Sequence, residues 1–213
     1  LNPDFNITTI LFDFGGVIAE EGFREGLRAI ARKNGLQEAA FIDAAYEIIH
    51  ASGYLVGKAS EHDYWSQVRA QTGIGDDDET LRNECLSRFI IRDWMLALTR
   101  TLREHGRRLA ILSDQTDWLD LLNQRYDFFR YFDDVFNSFH MGKGKRNPEH
   151  FDDVIRTLGI PAREALFIDD DAGNCERARQ RGLQAIQYTE RSDFMNRMRR
   201  YCPFLPPDGP EMT

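Results

Sequence analysis

Ala165-Leu166-Phe167-Ile168-Asp169-Asp170-Asp171 decides the fold: four apolar residues stop abruptly on three carboxylates. A run so short and so apolar reads as a strand buried on both faces of a parallel sheet. Working outward, the pattern recurs. Ile10-Leu11-Phe12-Asp13 ends on a carboxylate, and Leu109-Ala110-Ile111-Leu112-Ser113-Asp114 on a hydroxyl and a carboxylate. A weaker run, Asp134-Val135-Phe136-Asn137-Ser138, precedes Lys143 and Lys145, and a fifth, Gln184-Ala185-Ile186-Gln187-Tyr188, lacks such a group. Helical stretches follow the strands, so the expected architecture is α/β, a doubly wound parallel sheet with right-handed crossovers. Ligands in such sheets bind beyond the carboxyl ends of the strands. Asp13, Ser113, a lysine and the aspartates from Asp169 should therefore meet in one crevice. Adjacent carboxylates repel one another and call for a cation, which suits the crevice to Mg²⁺ and a phosphate.

Between the first two strands lie about ninety residues with no convincing strand. Arg24, Arg28 and Arg32 share one helical face and Leu27, Ile30 and Ala31 the other; Phe41, Ala45, Ile48 and Ile49 make a second amphipathic pattern. Gly53 to Gly57 is a break, Ser60 with Asp63 caps a further helix, and Asp76 to Glu79 suits the start of another. Such an insertion is expected to form a small all-helical cap over the crevice, residues 19–93, on an α/β core of residues 1–18 and 94–213. Beyond it, helices are expected through Leu96 to Leu102, Trp118 to Tyr126, Phe151 to Leu158 and around Ala178. The proline-rich tail from Pro203 to Pro210 should be an extended arm or disordered.

A chain of 213 residues with 42% apolar and 29% charged residues has the composition of a soluble globular enzyme. Its net charge of −8 argues against nucleic acid or an anionic membrane as partner. No apolar run reaches the roughly 18 residues that span a bilayer, and no export signal opens the chain, so a cytoplasmic location is expected. Because the chain opens on Leu1 rather than Met, a short leader is expected to precede it. Cys85, Cys175 and Cys202 are read as reduced thiols, and the five histidines as surface or partly buried residues rather than ligands.

A carboxylate at the first strand end can attack a phosphoryl group and form an acyl phosphate, and Gly15-Gly16 after it permit a tight turn. In this order the features resemble the haloacid dehalogenase-like hydrolases, whose members are mostly Mg²⁺-dependent phosphatases. The first motif is matched by Leu11-Phe12-Asp13-Phe14-Gly15-Gly16-Val17-Ile18, the second by Ile111-Leu112-Ser113-Asp114. Aligning Pro148 and Phe151 places Lys145 on the family lysine, and Phe167-Ile168-Asp169-Asp170, with Asn174 beyond, matches the fourth. The best match is to the subgroup with Asp-x-Gly in the first motif, sugar-phosphatase-like. The resemblance implies an α/β core of that family and a small phosphorylated substrate. By it, Asp13 is nucleophile and Mg²⁺ ligand, joined by the Gly15 carbonyl and Asp170, with Asp169 either in the metal shell or orienting the lysine. Ser113, Asp114 and Lys145 hold the phosphoryl group, and cap residues around Gly53 to Trp65 face the leaving group.

Three departures qualify this. Most phosphatases of the family carry an acid/base aspartate where this chain has Gly15, a loss worth roughly 10²–10⁴-fold; Glu20, Glu21, Glu61 and His62 are the candidate replacements. Asp114 in place of asparagine adds charge beside a phosphate site. Arg146 in place of proline leaves Lys143 a competitor of Lys145. The alternatives are a weak or inactive binding or regulatory protein on this fold, which Gly15 would allow, and a metal-free 2-haloacid dehalogenase, which the carboxylate cluster disfavours. Substrate identity and oligomeric state are not legible.

Overall fold

The computed structural model describes residues 6–206. The elements run β1 (Thr9–Phe12), α1 (Gly22–Lys33), α2 (Glu38–Ala51), α3 (Glu61–Thr72), α4 (Asp78–Leu86), α5 (Asp93–Glu104), β2 (Arg108–Ser113) and α6 (Trp118–Tyr126). After these come β3 (Asp134–Asn137), α7 (Ser138–Met141), α8 (Glu149–Leu158), β4 (Ala165–Asp169), α9 (Ala172–Gln180), β5 (Gln184–Gln187) and α10 (Arg191–Tyr201). The five strands form one parallel sheet in the order β3-β2-β1-β4-β5. All five apolar runs are strands, as expected. The chain steps outward from β1 through β2 to β3, then crosses to β4 on the opposite side of β1. The switch point between β1 and β4 is where a ligand crevice opens in such sheets.

Alternation along the strands builds two cores. Ile10, Phe12, Leu109, Ile111, Leu166 and Ile168 pack in one cluster with the inserted helices, α5, α6 and α10. Leu11, Ala110, Leu112 and Phe167 face the other way, onto Phe151, Val154 and Leu158 of α8 and Ala178 of α9. Register aligns Phe12 with Ile111 on one side and Ile168 on the other. Asp13 and Asp169 are therefore the next residues on neighbouring strands, and the Asp13 N–H donates to the Ile168 carbonyl at 2.8 Å.

The insertion leaves and rejoins the core at one place. Glu20 N–H donates to the Ile90 carbonyl at 2.8 Å, and Arg92 N–H to that of Ile18 at 2.9 Å. The Arg92 side chain ties this junction to the loop after β1, bonding the Gly16 and Val17 carbonyls and pairing with Glu20 at 2.8 Å. Ser60 and Asp63 form the expected capping box on α3, and Asp77 caps α4. Helix α10 went unassigned in the sequence because its arginines mask the buried Phe194, Met195 and Met198. The tail arm packs: the Phe204 ring stacks on His105 with centroids 3.9 Å apart, while Pro207 to Pro210 lie outside the described residues. All three cysteines are free and buried. His150 departs from expectation, being fully buried with neither ring nitrogen hydrogen-bonded. No described helix is long and apolar enough to cross a membrane.

Candidate active site

Asp13 is 8% exposed at the end of β1. Its Oδ1 accepts from the Phe14 N–H at 2.7 Å and from Ser113 Oγ at 2.8 Å; its Oδ2 lies 2.8 Å from Lys145 Nζ. Lys145 is the lysine of the site. Its ammonium is buried between Asp13 and Asp169, the latter at 2.6 Å, whereas Lys143 pairs with Asp153 at 2.5 Å on α8. The Lys145 backbone is braced on both sides. Its N–H donates to Asp114 Oδ1 at 2.8 Å, and its carbonyl accepts from Arg177 Nε at 2.9 Å. The Asp114 side chain therefore braces the lysine loop, at the edge of the cavity.

Asp169 is enclosed by donors: Lys145 Nζ, the Asp171 N–H at 2.8 Å and Asn174 Nδ2 at 3.1 and 3.2 Å. The Asp170 carboxylate, by contrast, forms no ion pair with any described side chain and faces the loop after β1. Gly16 is what lets it approach. That residue has φ +77°, where only glycine is comfortable, and a Cβ there would overlap the Asp170 carboxylate. Asp13, Asp169 and Asp170 each offer an oxygen within 4.8 Å of the others, the one such cluster of ligating groups among the described residues.

The charges do not balance. Burial, then repulsion from Asp169 and Asp170, pushes the Asp13 carboxyl well above the ordinary range although Lys145 opposes the shift. Burial, Asp169 and Glu21 push Asp170 up to about 6. Burial works against the Lys145 ammonium, but Asp13 and Asp169 more than offset it and raise its pKa. One ammonium thus serves three carboxylates, and hard oxygen donors with excess negative charge are the set that Mg²⁺ takes. The residues fit the ion.

These groups open into a cavity of about 430 Å³, within the ordinary range for a small-molecule site. The sequence placed Gly53 to Trp65 on its far side, but of these Leu55 alone lines it; Tyr54 hydrogen-bonds Asp117, and Trp65 is fully buried. The far wall is instead Glu21, Phe23 and Arg24 at the start of α1, with Tyr46, Ile49 and His50 of α2. Tyr46 was legible, since it shares a helical stripe with Ile42 and Ile49. Arg177, two turns beyond Asp170, had no comparable signal.

Of the four candidates for the missing acid, three are elsewhere. Glu20 pairs with Arg92, Glu61 with Arg82 at 2.8 Å, and the exposed His62 with Asp78 at 2.8 Å. Glu21 lines the cavity. Its Oε1 accepts from the Arg24 N–H at 2.9 Å and the Tyr46 hydroxyl at 3.3 Å. Burial raises its pKa despite those two donors.

Comparison with known proteins agrees with this geometry. The sequence profile of the haloacid dehalogenase-like hydrolases matches residues 7–180. A D-ribitol-5-phosphate phosphatase of Bacteroides thetaiotaomicron is 24% identical over 204 residues, 88% of this chain and 95% of that protein. Flavin mononucleotide hydrolase 1 of Arabidopsis thaliana is 24% identical over 134 residues, 56% of this chain, which spans about half (55%) of that protein's length. Among solved structures, a family enzyme of B. thetaiotaomicron in complex with magnesium and inorganic phosphate superposes with TM-score 0.69 at 23% identity, over 88% of this chain and 98% of that one. An L-2-haloacid dehalogenase of Xanthobacter autotrophicus with chloropropionic acid covalently bound gives 0.65 at 16%, over 94% and 85%. At these identities the structural likeness establishes the fold.

Proposed function

The chain belongs to the haloacid dehalogenase-like hydrolases, and we propose that within that family it is a Mg²⁺-dependent phosphatase of a small phosphorylated metabolite. The observation that carries this reading is the single buried ammonium of Lys145 set between Asp13 and Asp169, with Asp170 beside them and no cation of its own. A dehalogenase acting on a singly charged haloacid has no use for that surplus of carboxylate. The phosphatase relative and the magnesium–phosphate complex of a structural neighbour support the same choice.

Asp13 attacks the phosphorus and becomes an aspartyl phosphate, which water then opens. Ser113 and Lys145 hold the phosphoryl oxygens, and the Lys145 ammonium favours the ionised form of Asp13 that attacks, against the burial that opposes it. Asp13 and Asp170 would hold the metal, while Asp169, already saturated by donors, positions the lysine. Bound there, Mg²⁺ would neutralise charge on the transferring group. Residues 19–93 act as the cap: α1 and α2 wall the leaving-group side and exclude water from the phosphoryl side. Arg24 and Arg146 line the same cavity and draw an anionic substrate into an acidic protein.

A panel of phosphorylated metabolites, assayed for phosphate release with and without Mg²⁺, tests this. Turnover that needs Mg²⁺ and vanishes in Asp13→Asn is expected. Metal-independent halide release from 2-haloacids would replace the reading with dehalogenation. Phosphate-ester binding without turnover would replace it with the regulatory role that Gly15 allows.

A further inference from the structure

Position 15 carries no side chain, yet its place is not empty. A Cβ built on Gly15 would stand 3.4 Å from Glu21 Oε2 and 3.5 Å from the Phe89 ring. The carboxyl of residue 21 thus reaches into the space that an acidic side chain at position 15 would enter. It is held there by one edge only: the Arg24 N–H and the Tyr46 hydroxyl both bond Oε1, leaving Oε2 as the edge toward Gly15. Asp13, Gly15 and Glu21 line one cavity, and Glu20, Glu61 and His62 do not. Glutamate is also outside the residues favoured at a helix N-cap, the position that Glu21 fills on α1.

We propose that Glu21 is the general acid and base of this site, delivering from the start of α1 the carboxyl that relatives carry two residues after the nucleophile. The inference rests on the phosphatase reading. In the first step an Asp13 oxygen bonds phosphorus and the bond from phosphorus to the ester oxygen breaks. The electron pair stays on the departing oxygen, which takes the proton of the Glu21 carboxyl and leaves as an alcohol. In the second step water attacks the phosphorus of the aspartyl phosphate, and its proton returns to the Glu21 carboxylate. The bond between phosphorus and Asp13 breaks, giving inorganic phosphate and free Asp13. The sum is an ester plus water going to alcohol plus phosphate. Tyr46, through Oε1, is a positioning residue for the carboxyl.

The geometry also says how position 15 would respond to repair. Gly15 has no positive φ, and its Cβ would make ordinary contacts, so an aspartate fits the backbone. With Glu21 in place, however, two carboxyls would compete for one spot. Gly15→Asp alone is therefore expected to gain nothing, whereas Gly15→Asp with Glu21→Gln restores a single acid.

The test uses the Mg²⁺-loaded protein with matched alkyl and aryl phosphates. Glu21→Gln keeps an Oε1 acceptor for Arg24 and Tyr46, so the fold should hold, with an unchanged thermal melt as control. Loss of a positioned acid costs roughly 10²–10⁴-fold, and the expected loss is of that size on alkyl phosphates. It should be much smaller for formation of the intermediate from aryl phosphates, whose leaving groups need no proton. Intact mass after acid quench should show protein carrying one phosphoryl group accumulating in Glu21→Gln, because the water has lost its base. The double variant should recover alkyl turnover. If the wild-type protein is active but Glu21→Gln is as fast on both substrate classes, the assignment to Glu21 is wrong and the phosphatase reading survives. An equal loss on both classes with no trapped phosphoprotein would make Glu21 a helix cap alone. A wild type that neither turns over nor forms a phosphoprotein removes the phosphatase reading itself.

Discussion

Lys145→Met replaces the one ammonium between Asp13 and Asp169 with an uncharged side chain of similar length. Two buried carboxylates then face each other without a counter-charge, with Asp170 adding to the repulsion. Breaking a buried pair from one side costs about 3–5 kcal/mol. The protein can limit that cost by protonating one carboxyl. Holding a carboxyl of ordinary pKa neutral costs about 4 kcal/mol at pH 7 and about 1.5 kcal/mol at pH 5. The expected loss in metal-free protein is thus about 3–4 kcal/mol at pH 7, shrinking to about 1.5 kcal/mol at pH 5. For a chain of this size the neutral-pH loss corresponds to a Tm lower by about 6–16 °C. Urea denaturation with a chelator present, at both pH values, measures it. Saturating Mg²⁺ should return part of the stability at pH 7, since a second cation then serves the same carboxylates. A loss that is the same at pH 5 and pH 7 would mean that packing, not charge, is what Lys145 supplies, and the electrostatic account of the site would fail.

Two further outcomes follow from Asp170, whose carboxylate forms no ion pair with a described side chain. Because the folded pKa of Asp170 is raised to about 6, its protonated form stabilises the metal-free fold below the unfolded carboxyl range. That contribution is lost as the pH rises through about 6, so Asp170→Asn should flatten this part of the Tm–pH profile and abolish the Tm rise given by Mg²⁺. A profile unchanged by the substitution would place the metal elsewhere. Gly16→Ala puts a Cβ into the Asp170 carboxylate at a positive φ; it should cost more than about 1 kcal/mol and weaken Mg²⁺ binding in calorimetry. Ordinary Mg²⁺ affinity in that variant would show that Asp170 does not need its observed position.

The sheet was readable because buried parallel strands have a composition that little else shares. Runs such as Leu109 to Leu112 admit no amphipathic alternative, and the crevice follows from topology once the strands are placed. Lys145 was identified only through the positions of Pro148 and Phe151, since Lys143 is a lysine in the same loop and nothing in composition separates them. What separates them is three-dimensional: Asp114, just after β2, and Arg177, on α9, grip the backbone of Lys145 from two sides. The insertion was readable as helices, but which of them would line the cavity was not. The family resemblance put Gly53 to Trp65 against the leaving group, yet the aromatic rings of that stretch are spent on the core. Tyr54 and Trp65 pack on Trp118, and α1 and α2 took the cavity instead.

Gly15 shows most plainly where a one-dimensional motif parts from the chemistry it stands for. A motif fixes an acid by its distance along the chain from the nucleophile, but a proton is transferred across space. The loop after Asp13 folds back sharply. Ala19 N–H bonds the Phe14 carbonyl at 2.9 Å, and Glu20 N–H the Ile90 carbonyl at 2.8 Å. Six residues of chain are thereby spent returning to the neighbourhood of position 15, and the first side chain free of that return is Glu21. A chain whose loop closes this way can lose the acid at position 15 and still present a carboxyl at the same point. The same closure explains why Glu20, one residue earlier, cannot serve. Its carboxylate is drawn to Arg92, the residue that clamps the Gly16 and Val17 carbonyls and holds the loop shut. Glu20→Gln should therefore loosen the clamp, lowering stability by about 1 kcal/mol or less for a partly exposed pair. It should leave the alkyl-to-aryl rate ratio unchanged, and a change in that ratio equal to that of Glu21→Gln would show that the clamp, not the carboxyl of Glu21, sets the chemistry.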